Sequence, residues 1–232
     1  MNLHSLLFGS YCPRLISVVG GGGKTSVLRT LAAEYCARGL KTAVTTTTKM
    51  KHPEPRSLLA WRVCDIRQKL DTQGFVVAGR PFDERKIGML DPSVMEQTLK
   101  LADVVINEAD GAKMKPLKAP IASEPVLPLQ TDIVVIVAGL DCIGKKLKDT
   151  CFRVEEVMDI LKTDNENKRI TPRDVTKIIQ KGYLEKTPFP CVVLLNKADG
   201  DPVRLRAAER ISFYLKGIKC EAVSLFPAPK IF

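Results

Sequence analysis

A chain of 232 residues, 45% hydrophobic and 27% charged, holds enough apolar mass for one large globular domain, and no apolar run approaches the ~20 residues that cross a bilayer. Its net charge of +10 is spread along the sequence and is not interleaved with aromatics, which argues against nucleic acid and suits a polyanionic small ligand. Seven cysteines stand apart with no C-x-x-C spacing, and His4 and His52 are the only histidines; a structural zinc site is therefore not expected, and a reducing, cytoplasmic setting is. Residues 1–11 lack the basic start of a signal peptide.

In chain order, residues 15–19 are an apolar run that predicts a buried strand. Gly20, Gly21, Gly22 and Gly23 follow, then Lys24, Thr25 and Ser26, then apolar positions at helical spacing: Val27, Leu28, Leu31, Ala32, Tyr35. Strand, glycine loop and helix opening on Lys-Thr is the layout of a phosphate-binding loop, in which backbone N–H groups and a helix N-terminus face an anion. The pattern is a variant, because the strict G-x-x-x-x-G-K-[ST] spacing needs glycine where Val18 stands. A dinucleotide fingerprint fits worse, since its third glycine would fall on Thr25 or Ser26. Lys24 is expected to reach the outer phosphates and Thr25 to ligate Mg²⁺.

Residues 42–48 read as a second strand ending in a threonine run, with Lys49 after it. Thr48 is either an exposed hydroxyl at a strand end or a metal ligand at the carboxyl edge of a sheet, where ligands collect. The stretch 52–90 looks like an irregular insertion, partly helical over 58–70 and with a strand over 75–79. Residues 91–102 predict a helix with Pro92 at its first position.

An apolar run from 103 ends in Glu108, Asp110 and Gly111. A strand closing on an acid, two residues and a glycine has the layout of a Walker B segment, in which the acid holds Mg²⁺ and the glycine N–H faces the γ-phosphate. Glu108-x-x-Gly111 fits that layout best, with Asp110 as a second carboxylate that either supports the metal ligands from behind or positions water. Residues 113–128 read as a proline-rich surface segment whose lysines either bind an anion or are solvated. Further strands and helices are predicted at 132–139, 154–161, 171–182, 191–196, 203–215 and 220–225, the helix at 171 opening with Thr171 as cap and Pro172 behind it. The strand at 191–196 closes on Asn196, Lys197 and Asp199. In an N-K-x-D loop a carboxylate accepts two hydrogen bonds from guanine that adenine does not offer, the lysine stem lies over the purine, and the asparagine braces the loop.

With these motifs in hand the chain resembles the YqeC family, accessory proteins of selenium-dependent molybdenum hydroxylases. The residues that carry the resemblance are V-G-G-G-G-K-T (19–25), T-T-T-T-K-M (45–50), E-A-D-G-A-K (108–113), P-L-K-A-P (116–120), E-P-V-L-P (124–128), I-T-P-R-D-V (170–175) and N-K-A-D (196–199). Ser123 stands where that family is expected to carry histidine. More broadly the glycine loop, E-x-x-G and N-K-x-D look like those of metal-insertion GTPases, nucleotide-gated dimers of the P-loop class, although Val19 replaces the signature lysine of many of them.

The expectation is a single α/β domain over 1–232, P-loop NTPase-like, with a mostly parallel sheet between two helical layers. Mg²⁺ and GTP (or ATP) are the expected cofactors. The resemblance implies slow hydrolysis coupled to maturation of a molybdenum and selenium hydroxylase client, with a homodimer as a possible assembly. A small-molecule kinase or ligase built on the same loop is the alternative.

Overall fold

Runs of β-branched and aliphatic residues without polar alternation become strands covered on both faces. The computed structural model describes residues 2–198, 200–225 and 227–232. Its main sheet has eight strands: β1 (Leu15–Gly20), β2 (Thr42–Thr46), β3 (Leu59–Ala60), β4 (Phe75–Ala78), β5 (Val104–Glu108), β6 (Ile133–Gly139), β7 (Cys191–Asn196) and β8 (Lys219–Ala222). They lie in the order β8-β7-β6-β1-β5-β2-β4-β3, and every pairing is parallel.

Helices cover both faces. On one side α1 (Leu3–Phe8) and α2 (Lys24–Ala37) pack Leu7, Leu28, Leu31 and Tyr35 against Ile16, Val18, Ile106 and Val135. On the other, α3 (Val63–Gln73) and α4 (Pro92–Leu101) cover the β2–β4 half through Ile66 and Leu70. The β6–β7 half of that face is covered by α5 (Leu147–Thr150), α6 (Val154–Leu161), α7 (Pro172–Ile179) and α8 (Pro202–Tyr214). The result is a three-layer α/β sandwich around an all-parallel sheet. The chain leaves β1 for β2 on one side and later fills β6 and β7 on the other. The carboxyl ends of these strands therefore open a crevice where the strand order reverses.

Several elements depart from the sequence reading. β2 stops at Thr46: the Thr47 N–H still donates to the Glu108 carbonyl (3.1 Å), and the Thr46 hydroxyl then accepts from the Thr48 N–H (3.0 Å), which takes the backbone out of the ladder. Residues 52–90 are more regular than expected, since they supply β3, α3 and β4 to the sheet architecture. The same region forms a small antiparallel ribbon in which Lys49–Lys51 pairs with Lys86–Gly88, which pairs in turn with Arg80–Pro81. The helix from Thr171 ends at Ile179 and widens into a π-turn, Gln180–Leu184, that carries Tyr183 into the core. The proline-rich segment is not all surface, because Leu117, Lys118, Ala119 and Pro120 are buried.

Candidate functional site

The glycine loop lies flat across the end of β6, and its glycines are there for close approach. Gly20 (φ +94°) and Gly22 (φ +79°) occupy left-handed backbone, and a Cβ on them would come within 2.1 Å of the Val137 carbonyl oxygen and 2.3 Å of the Gly139 nitrogen. Their amides are engaged by the protein. The Gly20 N–H donates to both Asp110 oxygens (3.1 and 3.0 Å), Gly21 to the Val137 carbonyl (2.9 Å) and Gly22 to the Lys115 carbonyl (3.0 Å). Of the four glycines only Gly23 has an amide left for a ligand. The N–H groups of Gly23, Lys24, Thr25 and Ser26 open α2, where helix geometry gives them no partner, and none is engaged by another described residue.

Lys24 is 5% exposed and folded back on the loop. Its Nζ donates to the Gly20 carbonyl at 2.7 Å and lies 3.2 Å from Asp110 Oδ1 and 3.8 Å from Glu108 Oε1. Glu108 closes β5, in register with Val18 on one side and Thr46 on the other. Burial pushes its carboxyl from the ordinary 4.5 up to about 7; the charge of Lys24 pulls it back, Asp110 adds to the rise, and Lys118 opposes it.

Asp110 does not face the crevice. It is 0% exposed and ion-paired to Lys24 and to Lys118 (3.2 Å each), and it accepts from the Tyr183 hydroxyl at 3.0 Å. Lys118 continues the chain to Glu124 at 2.6 Å, and Glu124 to Arg153 at 2.9 Å. An acid so enclosed orients the loop and Lys24, and its oxygens are taken up by the Gly20 N–H, Lys24, Lys118 and Tyr183. Lys118 and Tyr183 were not foreseen in these roles. The P-L-K-A-P run marked the lysine, but no local signal marks Tyr183, which meets Asp110 from 73 positions away.

Asn196 ties the third motif to the loop. Its Nδ2 donates to the Gly22 carbonyl at 2.8 Å, and its Oδ1 accepts from the amides of Lys197 (2.8 Å) and Leu225 (3.1 Å). Lys197 (φ +64°) is held by Asp141, with Nζ 2.7 Å from Oδ2. Asp199 lies outside the described residues, and the cap of α8 is Asp201, whose carboxylate accepts from the amides of Val203 and Arg204.

The second half of the glycine loop, the start of α2 and the ends of β2, β5 and β7 border one cleft of about 1180 Å³, which Asp110 and Asn196 do not line. Gly22, Gly23, Lys24, Thr25 and Ser26 form its floor, and Thr48, Glu108, Gly111 and Lys197 stand around them. Thr25, Thr48 and Glu108 are hard oxygen donors of the kind Mg²⁺ takes beside phosphate oxygens. Among the described residues no three His, Cys, Asp or Glu side chains cluster as a metal site of their own. The donor set therefore suits a metal shared with a phosphate.

A family model described as "YqeC protein" matches residues 16–155, more than half of the chain. The chain belongs to the YqeC family. The segment shared with other YqeC proteins holds the glycine loop, Thr48, Glu108, Asp110 and Lys118 and stops before Asn196. The Escherichia coli (strain K12) "Uncharacterized protein YqeC" is 32% identical over 159 residues, covering 64% of this chain and 60% of that protein. The chain thus spans about 60% of the length of that curated relative. Among solved structures, the MinC:MinD cell division protein complex of Aquifex aeolicus is similar with a TM-score of 0.49 and 13% identity, covering 92% of this chain and 82% of that one. Chloroplast FtsY from Physcomitrella patens is similar with a TM-score of 0.43 and 12% identity, covering 96% and 62%. Neither likeness bears on what this YqeC protein binds.

Proposed function

We propose that this chain binds a Mg²⁺–nucleoside triphosphate, prefers GTP, hydrolyses it slowly, and serves as a maturation factor for a selenium-dependent molybdenum hydroxylase. The observation that carries nucleotide binding is the row of open amides from Gly23 to Ser26, at the positive end of a 14-residue helix with Lys24 beside it. Bound Mg²⁺ would neutralise phosphate charge, with the Thr25 hydroxyl and the Glu108 carboxylate holding it and Thr48 close by. Lys24 would leave the Gly20 carbonyl for the outer phosphates, while Asp110, fixed by Lys118 and Tyr183, keeps the loop in shape. Asp110 is a positioning residue in this scheme.

The guanine preference rests on Asn196-Lys197-x-Asp199 and on the Asn196–Gly22 hydrogen bond, which links that loop to the phosphate site. The link to a molybdenum and selenium client rests on the family alone. A panel of GTP, ATP and xanthosine triphosphate tests the base assignment. The wild type should favour GTP over ATP roughly ten- to hundred-fold, and Asp199→Asn should lose GTP and gain xanthosine triphosphate. Equal affinity for GTP and ATP would defeat guanine selectivity.

A further inference from the structure

The cleft is larger than a nucleotide site needs. Its volume of about 1180 Å³ exceeds the ~300–1,000 Å³ usual for small-ligand pockets, and its outer wall is the antiparallel ribbon that the phosphate loop does not use. Register sets the ribbon's faces. Met50 and Ile87 lie opposite one another and are buried (6 and 0% exposed), so the strand neighbours of that pair, Lys49, Lys51, Lys86 and Gly88, share the other face. Lys51 is directly opposite Lys86 across the strands. Like charges in that position repel and destabilise a two-stranded pairing. Among the described residues no carboxylate stands within ion-pair distance of Lys49, Lys51 or Lys86; Asp83, in the turn before Lys86, accepts from the Lys86 N–H and offsets part of that charge, while Lys51 has no such neighbour. All three border the cleft, where Lys49 Nζ sits 3.6 Å above the centre of the Phe82 ring, itself 55% exposed.

We infer that the ribbon is a second anion site, which binds a small polyanion bearing phosphate or carboxylate groups beside the phosphate loop. Lys51 and Lys86 clamp its charge, Lys49 assists, and Phe82 offers an apolar surface to the rest of the molecule. A charge pair that repels when empty is held together by an anion between its members, and the low-dielectric walls of a cleft strengthen that attraction. The inference rests on the phosphate-loop reading only for what lies next door; the ribbon site stands on its own charges.

The test uses the full chain with the loop saturated by Mg²⁺ and a non-hydrolysable GTP analogue, and titrates pyrophosphate by calorimetry. One further saturable site per chain is expected. Lys51→Gln/Lys86→Gln should weaken it at least tenfold and leave analogue affinity within twofold. In anion-free buffer Lys51→Gln alone should raise the thermal midpoint, and pyrophosphate should raise it for the wild type but not for the double variant. No second site, non-saturating uptake, equal binding by the double variant, or binding of a single-stranded oligonucleotide in place of pyrophosphate would each overturn the inference. If the analogue itself fails to bind, the phosphate-loop reading falls, and the comparison of wild type with double variant in pyrophosphate alone still decides the ribbon.

Discussion

Replacing Glu108 by glutamine should make the ligand-free protein more stable at alkaline pH, even though the proposed role of the residue is to hold metal. Burial raises this carboxyl from 4.5 to about 7 against the pull of Lys24 and Lys118. A folded-state value above the unfolded one means that the fold favours the protonated acid. The stabilisation is fully present below about 4.5 and is lost as pH rises through about 7. At roughly 1.4 kcal/mol per pH unit that net rise, which already includes the pull of Lys24 and Lys118, sets a ceiling of about 3 kcal/mol and an expected loss of about 1–3 kcal/mol. Glutamine keeps the shape and never ionises. Urea unfolding without Mg²⁺ or nucleotide should therefore give the variant and wild type similar stability at pH 5, and a variant more stable by about 1–3 kcal/mol at pH 8. Adding Mg²⁺ and GTP should reverse the order, because the metal needs the carboxylate, and below pH 7 binding should release a proton. A stability difference that does not change between pH 5 and pH 8, or a wild type that gains on the variant at pH 8, would show that the ion pair with Lys24 outweighs burial and refute the reasoning.

Three other perturbations follow from the same geometry. Lys118→Met strips a fully buried cation from Asp110 and Glu124 and should cost about 3–5 kcal/mol in denaturant unfolding; a loss under about 1 kcal/mol would mean the network is solvated. Gly22→Ala puts a Cβ 2.3 Å from the Gly139 nitrogen at a positive φ, so the loop must shift, and both the thermal midpoint and nucleotide affinity should fall; an unchanged midpoint would contradict the close approach. Asn196→Ala removes the donor to the Gly22 carbonyl and the acceptor for two amides, which should cost about 1–3 kcal/mol of stability and weaken GTP and ATP alike. Loss of GTP binding alone would place Asn196 on the base.

The sheet was legible because its strands are buried on both faces and read as largely apolar runs without polar alternation, as at 15–19, 133–139 and 191–195. The strand–glycine loop–helix unit was legible for a local reason too: strand, glycines, Lys24 and helix are contiguous. Its details were not. Four glycines suggested four amides turned on an anion, whereas three of those amides serve Asp110, Val137 and Lys115, and only the tertiary fold brings these partners near. Lys118 read as either anion-binding or solvated because prolines and lysines around it resemble a surface loop, yet Asp110, Glu124 and Tyr183 enclose it once the π-turn is formed. The ribbon escaped notice because strands of two or three residues are too short to show a period of two.

The central claim is that the Gly23–Ser26 helix start and Lys24 hold a nucleoside triphosphate. Calorimetric titration of the wild type and Lys24→Ala with GTP and ATP, each with and without Mg²⁺, tests it most directly. The account predicts one Mg²⁺-dependent site per chain, weakened by about 2–3 kcal/mol in the variant. Absence of binding by the wild type, or a Lys24→Ala affinity equal to it, would contradict the account.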